Sequence, residues 1–260
     1  MTDLFMNIRV NALKKAVRRI IRRAAPVAIL LLSLCPPSIA GRVPEKLAYD
    51  LSWLGIPVGK ATQEISEDGD IIRIVSTARS NDWLSVFFPV DDRTESLLTK
   101  SGPFPGISRY FRMQTREGGR TRDREITFDP ASRTAQYHDR IHGDRKDIPI
   151  VEHTYDIYAS FYYVRYLDLK VGKAIYLHVV DGKDLQTIEV RVLRKERIGT
   201  PVGAFNTIVV KPLVKSEGVF EGKGGVTIWL TDDNRRIPVR AETKVKVGSV
   251  TAELTGGEFK

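Results

Sequence analysis

Two stretches of the chain place a pair of aspartates close to arginine, the pattern nearest to catalytic chemistry in this sequence. Residues 91–93 are Asp-Asp-Arg, and Asp232 and Asp233 are followed by Arg236. Two carboxylates can share the acid and base roles of a hydrolase when their surroundings separate their pKa values. Neighbouring residues of a strand face opposite sides, however, and aspartate also favours turns. A turn stabilised by Asp–Arg hydrogen bonds is therefore the preferred interpretation, with a hydrolase using Asp232 or Asp233 as the alternative.

Other motifs of known chemistry are missing from the sequence. His138 and His142 have the spacing of metal ligands on a helix, but their segment has the composition of a strand and a turn. There is no nucleotide-binding loop, zinc-protease motif or nucleophile elbow. The sequence therefore predicts neither a metal nor a cofactor, and it favours a non-catalytic protein.

One aromatic segment departs from the strand-like pattern of the rest of the chain. Within residues 154–169, Ile157, Phe161 and Val164 recur at helical spacing. Asp156 lies where an acid stabilises the first turn of a helix. The segment predicts a single long helix, whose tyrosines would pack on or inside a curved sheet.

Candidate ligand contacts come from this segment, from one tryptophan and from the second aspartate pair. They are Tyr158, Tyr162, Trp229, Asp232, Asp233 and Arg236. Aromatic side chains combine a large apolar surface with a polar tip, which suits a lipid or another small amphipathic ligand. Trp229 has a second interpretation, as a residue that fills the core.

Most of the chain consists of apolar and β-branched runs separated by short turns. Residues 71–78 alternate in the manner of a half-buried strand, and residues 186–192 do the same. The sequence Glu-Gly-Gly-Arg at 117–120 predicts a hairpin turn, because glycine readily adopts the positive φ that tight hairpins need. About a dozen strands are expected from such signals.

These strands predict a mainly β fold. A large antiparallel sheet has to curl, close or split to protect its edges. We therefore expect a single large antiparallel, strongly curved sheet, half-barrel or barrel-like, with one long helix packed on or in it. A fully closed barrel or two packed sheets is the alternative.

The first 40 residues have the layout of a secretory signal. A basic region extends to Arg23, an apolar stretch covers residues 24–34, and Ser-Ile-Ala at 38–40 forms a cleavage site. The apolar stretch is shorter than the roughly 20 residues that span a bilayer. We expect 1–40 to be a cleavable signal peptide and 41–260 to be a single β-rich domain in the periplasm, with no transmembrane span.

The sole cysteine, Cys35, lies within this leader. Lipid attachment requires a small residue directly before the cysteine, and Leu34 occupies that position. Cleavage after Ala40 would remove Cys35 and leave a chain without thiols or disulfides. Retention of the leader as an uncleaved anchor and acylation at Cys35 are the alternatives.

The formal net charge of +9 belongs mainly to the leader. Residues 1–40 contain seven Lys or Arg and one Asp, which accounts for +6 of the total. The rest of the chain is nearly neutral, so the charge does not indicate a nucleic-acid partner. A basic hairpin at residues 109–124 has charges that alternate along its strands, which is typical of a solvated surface.

Several segments, in order along the chain, resemble the family of exported bacterial envelope proteins called domain of unknown function 3108. They are residues 47–61 (LAYDLSWLGIPVGKA), 155–169, 199–205 (GTPVGAF), 229–233 (WLTDD) and 236–239 (RIPV). The resemblance covers nearly the whole chain after the leader. It implies an exported, mostly β protein of a Gram-negative-type bacterium. It implies no reaction and assigns no functional residue.

Three functions follow from these observations. The first is a periplasmic binding or carrier module for an apolar or amphipathic envelope ligand. The second is an assembly or scaffold factor of the envelope that acts through a protein partner, for which the hairpin at 109–124 is the candidate contact. The third is the hydrolase described above.

Overall fold

The computed structural model describes residues 43–102, 104–214, 225–245 and 247–259, and these ranges contain fifteen strands and two helices. The strands are β1 (Glu45–Trp53), β2 (Ile56–Asp68), β3 (Ile71–Ser80), β4 (Asp91–Ser101), β5 (Phe104–Glu117), β6 (Arg120–Asp129), β7 (Thr134–Asp139), β8 (Arg145–Pro149), β9 (Thr154–Tyr155), β10 (Ala174–Asp181), β11 (Asp184–Thr200), β12 (Gly203–Val214), β13 (Val226–Thr231), β14 (Pro238–Lys244) and β15 (Ser249–Glu258). The helices are α1 (Asp82–Ser85) and α2 (Ile157–Val164).

All the strands belong to one sheet, in the order β8-β7-β6-β5-β4-β3-β2-β1-β15-β14-β13-β12-β11-β10-β9. β1 pairs with both β2 and β15, so the first and last strands lie side by side in the middle. Neighbours are antiparallel except for the short parallel pair of β9 and β10. The prediction of a mainly β protein with a single large antiparallel sheet is confirmed.

The hairpin predicted at residues 117–120 joins β5 and β6. Glu117 pairs with Arg120, and the two glycines between them have φ values of 54° and 84°. Residues with side chains rarely adopt this left-handed region, so the sequence determines the position of the turn.

The two edges of the sheet are β8 and β9, so the sheet is not closed. Its two ends nevertheless meet, because the β10–β11 turn lies beside β8. Lys146 pairs with Asp184 (Nζ–Oδ1 3.1 Å), and Lys183 pairs with Asp144 (Nζ–Oδ2 3.0 Å). Val180 packs into the apolar cluster of β5–β8. Side chains, rather than a ladder of main-chain hydrogen bonds, therefore join the ends of the sheet.

The single long helix predicted for residues 154–169 is not confirmed. Thr154–Tyr155 is strand β9, and α2 covers only Ile157–Val164. The helix begins later than predicted because Asp156 is its N-cap, not a first-turn residue. It ends earlier because the chain after Val164 continues in tighter turns, in which the N–H groups of Tyr166 and Leu167 donate to the carbonyls three residues before them. A further one-turn helix, α1, was not predicted.

Apolar side chains form the core in three clusters. The largest fills the space between α2 and strands β2–β4 and β10–β13, with Ile74 and Val190 among its members. A second cluster around Phe111 and Ile126 belongs to β5–β8. Tyr158 of α2 packs against both, so the helix connects the two halves of the curled sheet.

Within the described ranges, no helix is both long enough and apolar enough to cross a membrane. The predicted signal peptide and Cys35 lie outside the described residues.

Candidate ligand-binding site

The N-terminus of α2 is anchored by the buried carboxylate of Asp156. Oδ1 accepts hydrogen bonds from the main-chain N–H groups of Tyr158 (2.9 Å) and Ala159 (3.0 Å). Oδ2 accepts hydrogen bonds from the hydroxyls of Ser96 on β4 (2.8 Å) and Ser108 on β5 (2.7 Å). Capping the N–H groups determines where the helix begins, and the two serines determine which strands it contacts.

Burial raises the pKa of Asp156 above its usual value, because removal from water disfavours the charged form. The four hydrogen bonds oppose this change since they stabilise the ionised carboxylate. Asp156 is inaccessible to solvent, and both of its oxygens are bound by the protein. We therefore assign it a structural role rather than a catalytic one.

The C-terminal end of α2 is anchored by a buried ion pair between Arg165 and Glu45. Nη1 and Nη2 of Arg165 each donate to one carboxylate oxygen of Glu45 on β1, both at 2.7 Å. Nη2 also donates to the main-chain carbonyl of Arg235, at 3.1 Å. The two side chains are only 1% and 4% exposed. This two-pronged pair holds the end of the helix against β1 and the β13–β14 connection.

An apolar cavity of about 420 Å³ lies between α2 and the sheet. The helix contributes Tyr158, Phe161 and Val164 to its wall. Strands β1–β3 and β10–β15 supply mostly aliphatic side chains, among them Leu177, Ile188, Val190, Val210, Ile228 and Ala241. Cavities of this size and composition are typical of small-molecule sites.

The polar groups at the wall of the apolar cavity are mostly bound to the protein. Arg240 pairs with Glu253, and the Thr62 hydroxyl hydrogen-bonds to Thr77 at 2.8 Å. The Tyr49 hydroxyl donates to the carbonyl of Pro238 at 2.8 Å. A molecule in this cavity would therefore be held mainly by the apolar area it buries.

A second cavity of about 270 Å³ adjoins the apolar one. Much of its wall is apolar, with Phe111, Met113 and Ile126, but the wall also includes Asp92, Thr115, Glu117 and Arg124, so we call it the polar cavity. Among the described residues, the Thr115 hydroxyl and Nε of Arg124 are buried with no hydrogen-bond partner. Burial raises the pKa of the Asp92 carboxyl; Glu117 adds to this, and a hydrogen bond from the N–H of Arg116 opposes it. Nε of Arg124 lies 3.7 Å from Oδ2 of Asp139. The charged and hydroxyl side chains in its wall distinguish this cavity from the apolar one.

Three residues, Ser76, Ile157 and Tyr158, line both cavities. The Tyr158 ring lies 6.4 Å from that of Phe111, between centroids. The first turn of α2 thus forms the boundary between an apolar and a polar compartment, and together they form a two-part site suited to an amphipathic molecule.

The candidate tyrosines from the sequence have different positions. Tyr158 lies at the boundary just described. Tyr162 is 2% exposed and is not among the lining residues. Its hydroxyl shares a 2.8 Å hydrogen bond with that of Tyr166, and the Arg165 guanidinium lies 5.4 Å from its ring centre. Tyr162 therefore supports the anchored end of the helix.

Trp229 lies in a third apolar cluster, with Leu47, Val209 and Leu254, and does not line either cavity. Its indole Nε1 donates to Glu196 at 2.6 Å. The structure therefore supports the interpretation of Trp229 as a core residue.

The second aspartate pair forms a turn. Asp233 Oδ1 accepts hydrogen bonds from the N–H groups of Arg235 (2.9 Å) and Arg236 (3.1 Å). Asp232 pairs with Lys195 (2.7 Å) and Arg236 (2.9 Å), and these contacts hold the pKa of its carboxyl below the usual range. The three candidates Asp232, Asp233 and Arg236 line neither cavity.

His138 and His142 each contact one carboxylate of the protein. His138 Nδ1 lies 3.0 Å from Glu125, and His142 Nδ1 lies 3.1 Å from Asp139. In the ranges that the structure describes, no three His, Cys, Asp or Glu residues are grouped as metal ligands.

Sequence reasoning missed the polar residues that shape the site. Glu45 and Arg165 are 120 residues apart, and Asp92 faces Thr115 only through the register of β4 and β5. Asp92 carried a signal, since it belongs to the first aspartate pair. Asp91, its neighbour, is exposed and pairs with Arg79.

The fold and the cavities define a class of protein: a curled antiparallel sheet around a short helix, with a ligand-sized cavity between them. The chain belongs to the family described as "Protein of unknown function (DUF3108)", whose model matches residues 48–255. This match confirms the resemblance found in the sequence. No curated protein matches the chain.

Solved structures share parts of this architecture. A β-barrel-like protein of domain of unknown function DUF1849 from Brucella abortus has a TM-score of 0.57 and 11% identity, covering 85% of this chain and 99% of that one. At this identity the likeness shows the fold alone.

Two further structures are more distant. A protein described as a lipoprotein from Parabacteroides distasonis ATCC 8503 has a TM-score of 0.34 and 11% identity, covering 85% of this chain and 98% of that one. A protein described as exported, with a YmcC-like fold, from Bacteroides fragilis NCTC 9343 has a TM-score of 0.32 and 14% identity, covering 84% and 97%.

Proposed function

We propose that this protein is a periplasmic binding or carrier protein for an amphipathic molecule of the cell envelope. The apolar part of the ligand occupies the apolar cavity, and its head group occupies the polar cavity. The single observation that carries this proposal is the two-part site on either side of Tyr158.

The chemistry of the two cavities supports a ligand with two unlike ends. Aliphatic side chains surround the larger cavity, whereas Thr115 and Arg124 are among the polar residues that line the smaller one. A head group with hydroxyl or amide groups would hydrogen-bond to them. Asp92 lines the same cavity and has no ion pair with another described residue, so its carboxylate would repel a strongly anionic head group.

The periplasmic location in this proposal rests on the sequence of residues 1–40, with its basic, apolar and cleavage regions. Sequencing the N-terminus of protein recovered from the periplasmic fraction of its own host would test it. A mature chain that begins at Gly41 is expected, and cytoplasmic recovery of the intact leader would contradict it.

Native mass spectrometry of protein purified from its host tests the presence of a ligand. We expect an adduct that dissociates under activation as a lipid or another amphipathic molecule. Repeated preparations without any adduct would count against the carrier function.

A cavity-filling substitution tests the location of the ligand. Ala241→Phe places a ring in the apolar cavity, whereas Glu242→Phe alters the neighbouring residue, which does not line it. We expect the first variant to weaken binding of a fluorescent fatty-acid analogue by about tenfold or more, and the second to bind like the wild type. Equal affinities for the two variants would place the binding elsewhere.

A further inference from the structure

Turns at one end of the sheet expose a set of large apolar side chains. They come from the β1–β2 turn, the loop containing α1 and the β14–β15 turn. We call this set the apolar rim: Trp53, Leu54, Ile56, Trp83, Val86, Phe87, Phe88 and Val247. Val86 and Phe87 are 78% and 80% exposed. Apolar residues concentrated in this way on a surface indicate a contact with a partner or a membrane.

Contacts between the turns make the apolar rim continuous. The Trp53 indole N–H donates to the carbonyl of Val247 at 2.8 Å, and the Trp83 indole N–H donates to that of Pro57 at 3.1 Å. Phe88 packs against Gly118 of the β5–β6 turn so closely that a Cβ there would lie 2.2 Å from the ring. The rim is therefore held in place by three neighbouring connections.

Several N–H donors of the rim have acceptors within the protein. Both indole N–H groups have carbonyl partners, as described above. The main-chain N–H groups of Phe87 and Phe88 donate to Leu84, and that of Leu54 donates to Ser249. Contact with hydrocarbon would therefore leave none of these donors without a partner, which is the main requirement for backbone near a lipid phase.

Basic side chains surround the rim. Arg116, Arg120 and Lys244 are exposed on the adjoining turns, and none has an ion pair with another described residue. Two nearby acids, Asp91 and Glu117, are neutralised by Arg79 and Arg122. Asp82, the exposed acid of α1, and the half-buried Asp92 have no ion pair with another described residue. The uncompensated charge beside the rim is thus positive on balance, which complements anionic lipid head groups.

We propose that the apolar rim docks the protein onto an anionic lipid bilayer, with Val86 and Phe87 inserted at the boundary between head groups and acyl chains. Aromatic residues with basic neighbours are typical of such peripheral contacts. A protein partner is less well matched, because protein interfaces use interfacial hydrogen bonds that the rim does not offer.

The position of the polar cavity agrees with docking at this end. Its wall includes Ala78, Asp92 and Glu117, and these residues lie next to the connections that carry or support the rim. Docking would bring this cavity close to the membrane surface. The inference itself rests on the rim and does not require the proposed ligand.

Cosedimentation with lipid vesicles tests the docking. The full chain, purified as its host processes it, would be mixed with phosphatidylcholine vesicles with or without phosphatidylglycerol. We expect binding to the anionic vesicles, and a partition coefficient lowered about tenfold or more by the double variant Val86→Ser, Phe87→Ser. Arg120→Gln with Lys244→Gln should lower binding only when phosphatidylglycerol is present.

Val151→Ser provides the matched control, because Val151 is 45% exposed and lies on the β8–β9 connection, outside the rim. It should bind vesicles like the wild type. All variants should unfold at the same temperature, since the altered side chains are exposed. Any membrane affinity of a retained leader would be common to all variants and would not produce these differences.

Two results would overturn the proposal. The first is a failure of the vesicle experiment: either the wild type does not sediment with anionic vesicles, or the double variant at Val86 and Phe87 sediments as well as the wild type. The other is a dimer in analytical ultracentrifugation that the same variant abolishes, without vesicle binding, since this would assign the rim to a second copy. Neither result would affect binding of the fatty-acid analogue in the cavity, so the proposed function is tested separately.

Discussion

The two ends of α2 are both fixed by buried charged side chains, but in different ways. At the N-terminus, the carboxylate of Asp156 is surrounded by neutral donors from the helix and two serines. At the C-terminal end, Arg165 is matched by the opposite charge of Glu45. One end thus depends on hydrogen bonds alone, whereas the other depends on two charges that are each unfavourable without the other.

This difference indicates how the helix can respond to its surroundings. A carboxyl group whose partners are neutral donors can take up a proton and remain bound to them. The N-terminal anchor therefore tolerates a change in the protonation of Asp156. The ion pair tolerates no such change. The first turn, with Tyr158 at the boundary of the two cavities, therefore lies at the adjustable end of the helix.

Substitutions in the ion pair should have the largest effect. Arg165→Met leaves the Glu45 carboxylate buried without its partner and should lower the free energy of unfolding by about 3–5 kcal/mol. The double variant Glu45→Leu, Arg165→Met removes both charges and should recover most of this loss. Urea unfolding of the wild type, of Arg165→Met, of Glu45→Leu and of the double variant measures these differences. A double variant as unstable as the sum of the single ones would contradict the interpretation of a coupled pair.

Removal of the N-cap should have the next largest effect. Asp156→Ala deprives two N–H groups and two hydroxyls of their acceptor and should cost about 2 kcal/mol. Asn81 precedes α1 and makes no capping hydrogen bond through its side chain. Asn81→Ala should therefore change the stability by no more than about 0.5 kcal/mol. Urea unfolding measures both losses. If Asp156→Ala lost no more stability than the small change expected for Asn81→Ala, the cap would contribute little to the fold.

The pH dependence of stability should further distinguish the two ends of α2. Burial raises the pKa of Asp156 in the folded protein above its ordinary value of 3.8. Its contribution to stability is therefore complete below that value and is lost as the pH rises through the folded pKa.

Asp156→Asn removes this titration and keeps an acceptor for the helix N–H groups. The stability of the wild type relative to this variant should decline as the pH increases above 3.8. Urea unfolding at a series of pH values measures the difference. A relative stability that rises with pH would mean that the fold prefers the ionised carboxylate.

Loss of the Tyr162 hydroxyl should have the smallest effect. Tyr162→Phe removes the hydrogen bond to Tyr166 but keeps the ring beside Arg165. We expect a loss of about 1 kcal/mol or less in the same unfolding experiment. A loss as large as that of Arg165→Met would show that the tyrosine, and not Glu45, holds this end.

The strands could be predicted because their signals are local. The glycines of the β5–β6 turn mark a hairpin, and the alternation of Ile188, Val190 and Val192 marks one buried face of β11. That alternation, which places Leu193 on the exposed face, stops at a bulge between Val192 and Arg194. A bulge depends on the neighbouring strand and is not visible in one segment.

The site could be predicted only in part because its residues come together through the curvature of the sheet. Tyr158 was a candidate, and it lies between the cavities. Trp229 and Asp232 were also candidates, but one fills a core cluster and the other forms a turn. Aromatic and acidic residues have these structural uses as often as functional ones, and only the three-dimensional positions distinguish them.

The meeting of the two ends of the sheet leaves a seam in the circumference of the molecule. Lys146–Asp184 and Lys183–Asp144 are exposed pairs, which dissolved ions weaken, whereas the main-chain ladders elsewhere are insensitive to them. Parting this seam would break these two surface pairs and expose Val180, but it would leave every strand pairing intact.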